Sequence, residues 1–499
     1  MTLDEIAAVT GGRLVNADPA AVVSGPVEYD SRKVTPDGLF VAFAGEQVDG
    51  HDFADTVGAP VLGTRDTGMP GVVVDDQLAA LAKLARVVVD RLPDLTIVGL
   101  TGSSGKTTTK DYLGQLLSRL GPTIAPAGSL NNELGFPYIV LKATPETRFL
   151  VLEMGARGPG HIAYLTRIAP PRIGLVLNVG AAHLGEFGSV AGTARAKGEL
   201  VEALPAGGTA VLNADDPLVA AMAARTAARV VRFGESPDAD VRATDVTVDG
   251  RGRASYALAG RRVRLGVTGR HQVANTLAAA AVALELGLPL DDVAAALGEV
   301  SIASGRRMDV FDRPDDGVTV IDDSYNANPS STAAALRALA AMGAGRRTVA
   351  VLGYMAELGE HERSGHEEVG RLAAELGVDR LIAIGEAAPV LDGAAAVPGW
   401  TGTAVHAADQ QAAIKLLDLE PDDVVLIKGS RYRTWDVVDS LRPGFSAPSG
   451  GPGAGSRHSP GFSAPSGGPD AGSRHSPGFS APSGGPGAGS RHSPEGVRP

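Results

Sequence analysis

The 499-residue chain has no cysteine, which excludes disulfides, thiolate metal sites and a thiol nucleophile. Any metal it binds must be held by oxygen or imidazole. It also lacks an apolar run of the roughly 18 to 20 residues needed to cross a membrane. The most apolar helical stretch, "ANTLAAAAVALELGL", carries Asn275 and Glu285. The first residues, "MTLDEIAAVTGG", have neither the cationic start nor the apolar core of a secretory signal. A soluble cytoplasmic protein is the expectation. Clustered cations are missing as well. Asp and Glu number 57 against 45 Lys and Arg, giving a net charge of -12, and the basic residues are scattered, which argues against a nucleic-acid backbone as partner.

What is present reads as an ordinary globular protein, 44% hydrophobic and 20% charged, long enough for about three domains. Residues 1–94 mix short strands such as "GLFVAF" with turns, then a helical run, "DDQLAALAKLARVVVDRL", closed by Pro93. Across 95–304 apolar strands ("TIVGL", "FLVLEM", "IGLVLNV", "TAVLN") alternate with helical segments, which predicts a mostly parallel sheet with helices on both faces. The alternation restarts over 305–442 with "VTVIDDS", "TVAVLG", "RLIAIG" and "DVVLIKGS", a smaller Rossmann-like α/β domain. Residues 443–499 hold three 17-residue copies of "PGFSAPSGGPGAGSRHS", the second altered only at Asp470. That composition buries too little apolar surface to offset chain entropy, so disorder is expected.

In open parallel sheets, ligands sit at the carboxyl ends of strands. The stretch "IVGLTGSSGKTTTK" places Gly102, Ser103, Ser104 and Gly105 between a strand and a helix opening at Lys106. Backbone N–H groups of such a loop converge on an anion, and the helix N-terminus adds a favourable dipole. Lys106 can reach a β- or γ-phosphate and the Thr107 hydroxyl can hold Mg²⁺, although Leu100 stands where the strict P-loop pattern has its first Gly. Glu153 ends the strand "FLVLEM" and His183 follows "LVLNVGAAH". Alone, each reads as a solvated edge or structural residue. Beside a phosphate loop, both are candidate metal partners. Lys197 in "ARAKGEL" reads by spacing as a surface cation on a helix. His271 and Asn275, four apart at a helix start, can face one site, though capping serves equally for Asn275. In the last region "IDDSYNANPSS", "LGYMAELG" and "LIKGSR" end three strands, suggesting a polar cleft that faces the phosphate loop.

These motifs, in their order, resemble the Mur ligase family over residues 1 to about 441: "DSRKVTPDGLFVAFAGEQVDGHDF", "TGSSGKTTTK", "GSLNNELGFP", "LEMGARGPGHI", "NVGAAHLGEFGS", "ARAKGEL", "GRHQVANTLAA", "DDSYNANPSS", "LGYMAELGE" and "KGSR". The resemblance implies an ATP-dependent ligase joining D-alanyl-D-alanine to the terminal carboxylate of UDP-N-acetylmuramoyl-tripeptide through an acyl phosphate. It implies that Lys106, Thr107 and Thr108 bind the ATP phosphates. Thr107, Glu153, His183 and Lys197 would support Mg²⁺, with a CO₂-derived carbamate on Lys197. Asn275, Arg307 and Asp323 would close around the nucleotide. Arg307 is preferred to Arg306 because the family's arginine directly precedes an apolar residue, here Met308. Ser31, Arg32, Gly50 and His51 would hold the uridine end in the domain 1–94, Asn131 and Asn132 the muramoyl peptide, and Asn326 or Asn328 the dipeptide. His183 is also a candidate proton acceptor for the incoming amine, and a monomer is expected. The rival readings are a sister ligase that adds the third amino acid, for which no D-N-P-[RA] motif is present, and a catalytically silent ATP-binding sensor of wall precursors.

Overall fold

The computed structural model describes residues 1–45, 48–180, 189–430 and 434–442. Three sheets succeed one another along the chain. The first has five strands in the order Arg13–Val15, Gly71–Val73, Val61–Gly63, Leu39–Val41, Val27–Glu28. Only its first pair is antiparallel. The second has nine strands, with Thr96–Thr101 between Phe149–Glu153 and Ile173–Val176, and Thr209–Asn213 and Arg229–Gly234 beyond. These pair in parallel. The third has six strands: an antiparallel edge, Asp309–Asp312, and parallel Thr319–Asp323, Val424–Lys428, Thr348–Leu352, Arg380–Ile384 and Thr403–Ala407.

The middle sheet agrees with the expected architecture, and its burial shows why the strands read as unbroken apolar runs. Successive side chains point to opposite faces. Val98, Leu100, Phe149 and Val151 enter one core cluster, with Tyr112, Leu113 and Leu116 of the helix Lys106–Leu117 and Leu277 of the helix Gln272–Glu285. Ile97, Leu150 and Leu152 enter the other, with Phe136, Leu165, Leu200 and Ala85 from helices on the opposite face. A parallel strand buried on both sides has no polar face to show. The sequence reading did not foresee the extension of this sheet by Val241–Val248, which joins Arg229–Gly234 in parallel, and then by Arg253–Leu258 and Arg261–Thr268 in antiparallel.

The helix Gln77–Asp90 links the first two sheets. Its Leu81 and Leu84 pack in the N-terminal core while Ala82 and Ala85 lie against the middle sheet. Buried Glu28 adds a polar tie, accepting from Tyr138 Oη at 2.8 Å. Among the described residues, no helix is long and apolar enough to cross a membrane.

Candidate active site

Hydrogen bonds within the protein shape the phosphate loop. Asn178, just past the strand Ile173–Val176, accepts at its backbone oxygen from Ser103 N (3.1 Å) and at Oδ1 from Ser104 N (2.9 Å). Gly180 N donates to Ser103 Oγ at 2.9 Å. Gly105 turns the chain into the helix with φ of +79°, and a Cβ there would lie 2.5 Å from Asn275 Oδ1. Only glycine accepts both the left-handed backbone and that approach. Asn275 is therefore no cap. It lies inside the helix Gln272–Glu285, donates to Gln272 Oε1 (2.9 Å), and sits against the loop. The N–H groups of the first turn after Gly105 have no partner within the helix, which leaves them for an anion.

Lys106 Nζ curls over this loop to Gly102 O at 2.7 Å. Burial pushes its pKa down. The Glu153 carboxylate opposes that shift, Arg307 adds to it and Glu357 opposes it. Thr107 Oγ1 donates to Glu153 Oε2 at 2.8 Å, and both residues are almost fully buried. Glu153 Oε1 accepts from Ser129 Oγ (2.9 Å) and Asn131 Nδ2 (2.7 Å). A hydroxyl and a carboxylate in contact, at the edge of a phosphate loop, form an all-oxygen donor set that fits Mg²⁺. His183 lies outside the described residues.

Lys197 departs from the surface cation that its spacing suggests. It sits on the helix Val190–Glu202, 2% exposed. It has no ion pair among the described residues. Burial, and then the nearby Lys106 charge, hold its pKa well below that of an ordinary lysine.

The third sheet brings its strand ends to the same place. Asn328 Nδ2 reaches Ser103 O at 3.5 Å while Asn328 also caps the helix Pro329–Met342. Arg307 stacks on the Tyr325 ring, 4.1 Å from its centroid, and its buried Nε has no hydrogen-bond partner among the described residues. Arg306 is committed elsewhere, to Asp439 (2.7 Å) and the Trp435 ring. Asp323 accepts from Lys428 Nζ at 2.5 Å and from Met308 N at 3.1 Å, and Lys428 also donates to Asn326 O at 2.9 Å. Nearby, the half-buried His271 has its pKa lowered from the ordinary imidazole value by loss of solvent, a shift that Asp323 opposes and Lys428 adds to.

Three family models match the chain: the Mur ligase family catalytic domain over residues 26–88, the Mur ligase middle domain over 100–283, and the Mur ligase glutamate ligase domain over 306–431. The UDP-N-acetylmuramoyl-tripeptide--D-alanyl-D-alanine ligase of Mycobacterium tuberculosis is 48% identical over 485 residues, covering 86% of this chain and 95% of the relative. The ligase of the same name from Escherichia coli is 37% identical, covering 88% and 97%. The chain belongs to the Mur ligase family. Among solved structures, MurF from Acinetobacter baumannii superposes with a TM-score of 0.78 at 32% identity, covering 88% of this chain and 98% of that one. MurF ligase from Thermotoga maritima in complex with ADP does so with a TM-score of 0.69 at 30% identity, covering 83% and 97%.

The remaining residues suggested by the Mur ligase resemblance lie apart from the phosphate loop or take structural roles. Exposed Arg32 pairs with Asp30 at 2.8 Å, with Ser31 between them in sequence. Gly50 N donates to Phe43 O at 2.7 Å, and a Cβ on Gly50 would fall 2.7 Å from that oxygen. His51 is buried with both ring nitrogens engaged, Nδ1 with Asp49 Oδ1 (2.6 Å) and Nε2 accepting from Thr64 N (3.0 Å). Asn132 Oδ1 accepts from Gly135 N at 2.7 Å, and Thr108 is buried in the first turn beyond Lys106. Sequence reasoning did not single out Ser129, Asn178, Gln272, Glu357 or Lys428. All five fall inside the quoted motifs, but only the fold shows which motif residue turns toward Glu153 or Lys106.

Next to the Asn131–Asn132 pair, Glu133 meets His161 Nε2 at 3.0 Å and Arg157 at 3.4 Å. The His161 imidazole beside it, with a smaller contribution from Arg157, brings the Glu133 pKa from 4.5 down to about 2. A depressed carboxylate contributes stability that is complete above its unfolded pKa and lost as pH falls through its folded one. The stability advantage of wild type over Glu133→Gln is therefore expected to shrink between about pH 4.5 and about 2. Urea midpoints measured across that range check it; a constant difference would remove the pair from the acid response.

Proposed function

We propose that the chain is an ATP-dependent amide ligase that joins D-alanyl-D-alanine to the terminal carboxylate of UDP-N-acetylmuramoyl-tripeptide, giving ADP and phosphate. The observation that carries this reading is the convergence of Lys106, the Thr107–Glu153 contact and Arg307, the last from the segment that leads into the third sheet, on one phosphate loop. Residues 1–94 hold the uridine nucleotide end, 95–304 bind ATP, and 305–442 close over it and admit the dipeptide.

Amide formation from a carboxylate requires an activated acyl group. The tripeptide carboxylate attacks the γ-phosphorus of ATP, the bond to ADP breaks, and an acyl phosphate forms. The dipeptide amine then attacks the acyl carbon, phosphate leaves, and the proton shed by the nitrogen passes to solvent. Lys106 supplies positive charge beside the transferring phosphoryl group, and the loop N–H groups orient the remaining phosphates. Thr107 and Glu153 would hold Mg²⁺, which supplies further neutralisation of phosphate charge when bound. Arg307, whose Nε has no hydrogen-bond partner among the described residues, adds further positive charge, and the third sheet shields the acyl phosphate from water.

Lys197 fits a carbamate. Its depressed pKa favours the neutral amine, which adds to CO₂ with loss of a proton, and the resulting anion relieves the repulsion from Lys106. Lys197→Ala is expected to lower kcat about 10- to 100-fold, the scale of lost support around a metal site. Formate or acetate, small enough for the space vacated, should restore part of the rate. An unaffected variant would rule the carbamate out.

The reading is tested by phosphate release from ATP and Mg²⁺ with UDP-muramoyl tripeptide, with and without D-alanyl-D-alanine. Release that needs both, with a product of the summed mass, is expected. Release only with the muramoyl dipeptide and a diamino acid would move the chain to the sister activity, and silence in both would favour a sensor.

A further inference from the structure

One turn along the helix from Lys106, the chain buries a charged pair with no evident part in catalysis. Lys110 and Asp111 are 2% and 4% exposed, with Nζ 3.3 Å from Oδ1. Lys110 Nζ also donates to Gly128 O at 2.7 Å and to Pro126 O. Asp111 Oδ2 accepts from Ser304 N at 2.8 Å and Oδ1 from Ser304 Oγ at 3.1 Å. Ser304 Oγ in turn accepts from Gly128 N at 2.9 Å. The ring joins the phosphate-loop helix, the loop leading to Ser129 and Asn131, and the last residue before the third domain. A buried ion pair contributes little net stability but fixes one arrangement when every partner is satisfied.

The residues just after Ser304 give that arrangement a use. Arg306 and Met308, either side of Arg307, both adopt left-handed backbones, φ +60° and +51°. Non-glycine residues hold such conformations only where their surroundings impose them. Here the surroundings belong to the third domain. Arg306 O accepts from Tyr325 N at 3.0 Å and its guanidinium meets Asp439. Met308 N donates to Asp323 and its side chain enters the core of that domain. Ser304 is thus bound to the middle domain and Arg306 to the last, with only Gly305 between them. A Cβ on Gly305 would meet nothing within 4 Å.

We propose that Asp111 is a positioning residue: by clamping Ser304, it fixes one end of a two-bond pivot at Gly305, and so sets where Arg307 stands over the phosphate loop. This rests on the ligase reading for its kinetic consequence but not for its geometry. Asp111 touches no substrate. It acts through the register of the linker, and its loss lets the third domain approach the loop in more than one orientation.

The test uses the full chain with Asp111→Asn and, as a gentler variant in case the first folds poorly, Ser304→Ala. Asp111→Asn is expected to lower kcat at least about tenfold while KM for ATP stays within about threefold, the pattern of a displaced group rather than a lost binding contact. In an Arg307→Ala background the same change should cost less than about threefold, because the residue it positions is gone. Scattering from the ADP- and Mg²⁺-bound variant should give a larger radius of gyration than wild type. If wild type makes no amide, the ligase reading fails while the scattering comparison still judges the clamp. Undiminished kcat, an equal loss in the Arg307→Ala background, or unchanged scattering with a lowered Tm would overturn the proposal and leave the pair a packing feature.

Discussion

Lys106→Met is expected to lower amide formation by about 10³-fold or more, with the fold intact. A single fixed donor to a developing oxyanion is worth about 10² to 10³ in rate, and a full cation on a transferring phosphoryl group more. Lys106 is the cation that the loop itself supplies, and it lies beside the Thr107–Glu153 contact. Its one side-chain hydrogen bond among the described residues, to Gly102 O, closes its own loop and ties no element to another. Burial already disfavours its charge, so an apolar side chain of similar length removes a desolvation cost along with the hydrogen bond. Thermal midpoints should therefore stay level or rise as turnover collapses. Lys106→Arg should fare little better, since a planar fork does not fit where a compact ammonium folds back over four residues. Retention of more than about a tenth of the rate by Lys106→Met would mean that the loop does not stabilise phosphoryl transfer.

Glu153→Gln is expected to lower kcat about 10²- to 10³-fold and to raise the Mg²⁺ concentration needed. The carboxylate accepts on both oxygens, from Ser129 and Asn131 on one side and Thr107 on the other. An amide can match only one side. With its oxygen toward Ser129 and Asn131, its NH₂ faces Thr107 and turns that hydroxyl from donor to acceptor. The charge lost also matters to Lys106. Glu153 raises the pKa that burial depresses, so without it the Lys106 pKa falls further. The alkaline limb of the pH–rate profile should accordingly move to lower pH in Glu153→Gln. An unmoved limb would show that Lys106 is not the group titrating there.

Much of this was legible from residue order alone, for identifiable reasons. The strand Thr96–Thr101, the turn at Gly105 and the helix from Lys106 are local, and each follows from short-range patterning. Lys197 was not legible in that way, because "ARAKGEL" has the polar spacing of a solvated helix. Its burial arises from the packing of its helix, Val190–Glu202, against the strands of the middle sheet. The choice between Arg306 and Arg307 likewise became a structural distinction when Arg306 was found on Asp439 and Trp435, both more than a hundred residues away. Asn131 and Asn132 read as a matched pair, yet one donates to Glu153 and the other accepts from Gly135 N at the start of the helix Gly135–Val140.

By itself the sequence determined that the protein has no thiol chemistry, that strands alternate with helices, and that a phosphate loop opens a helix at Lys106. These depend on composition and on contacts a few residues apart. The tertiary structure decided which distant groups meet: Thr107 with Glu153, Ser304 with Asp111, and Asn328 with Ser103 across 225 positions. Those contacts depend on how separate sheets pack, and packing sums many weak apolar contacts that no short stretch of sequence contains.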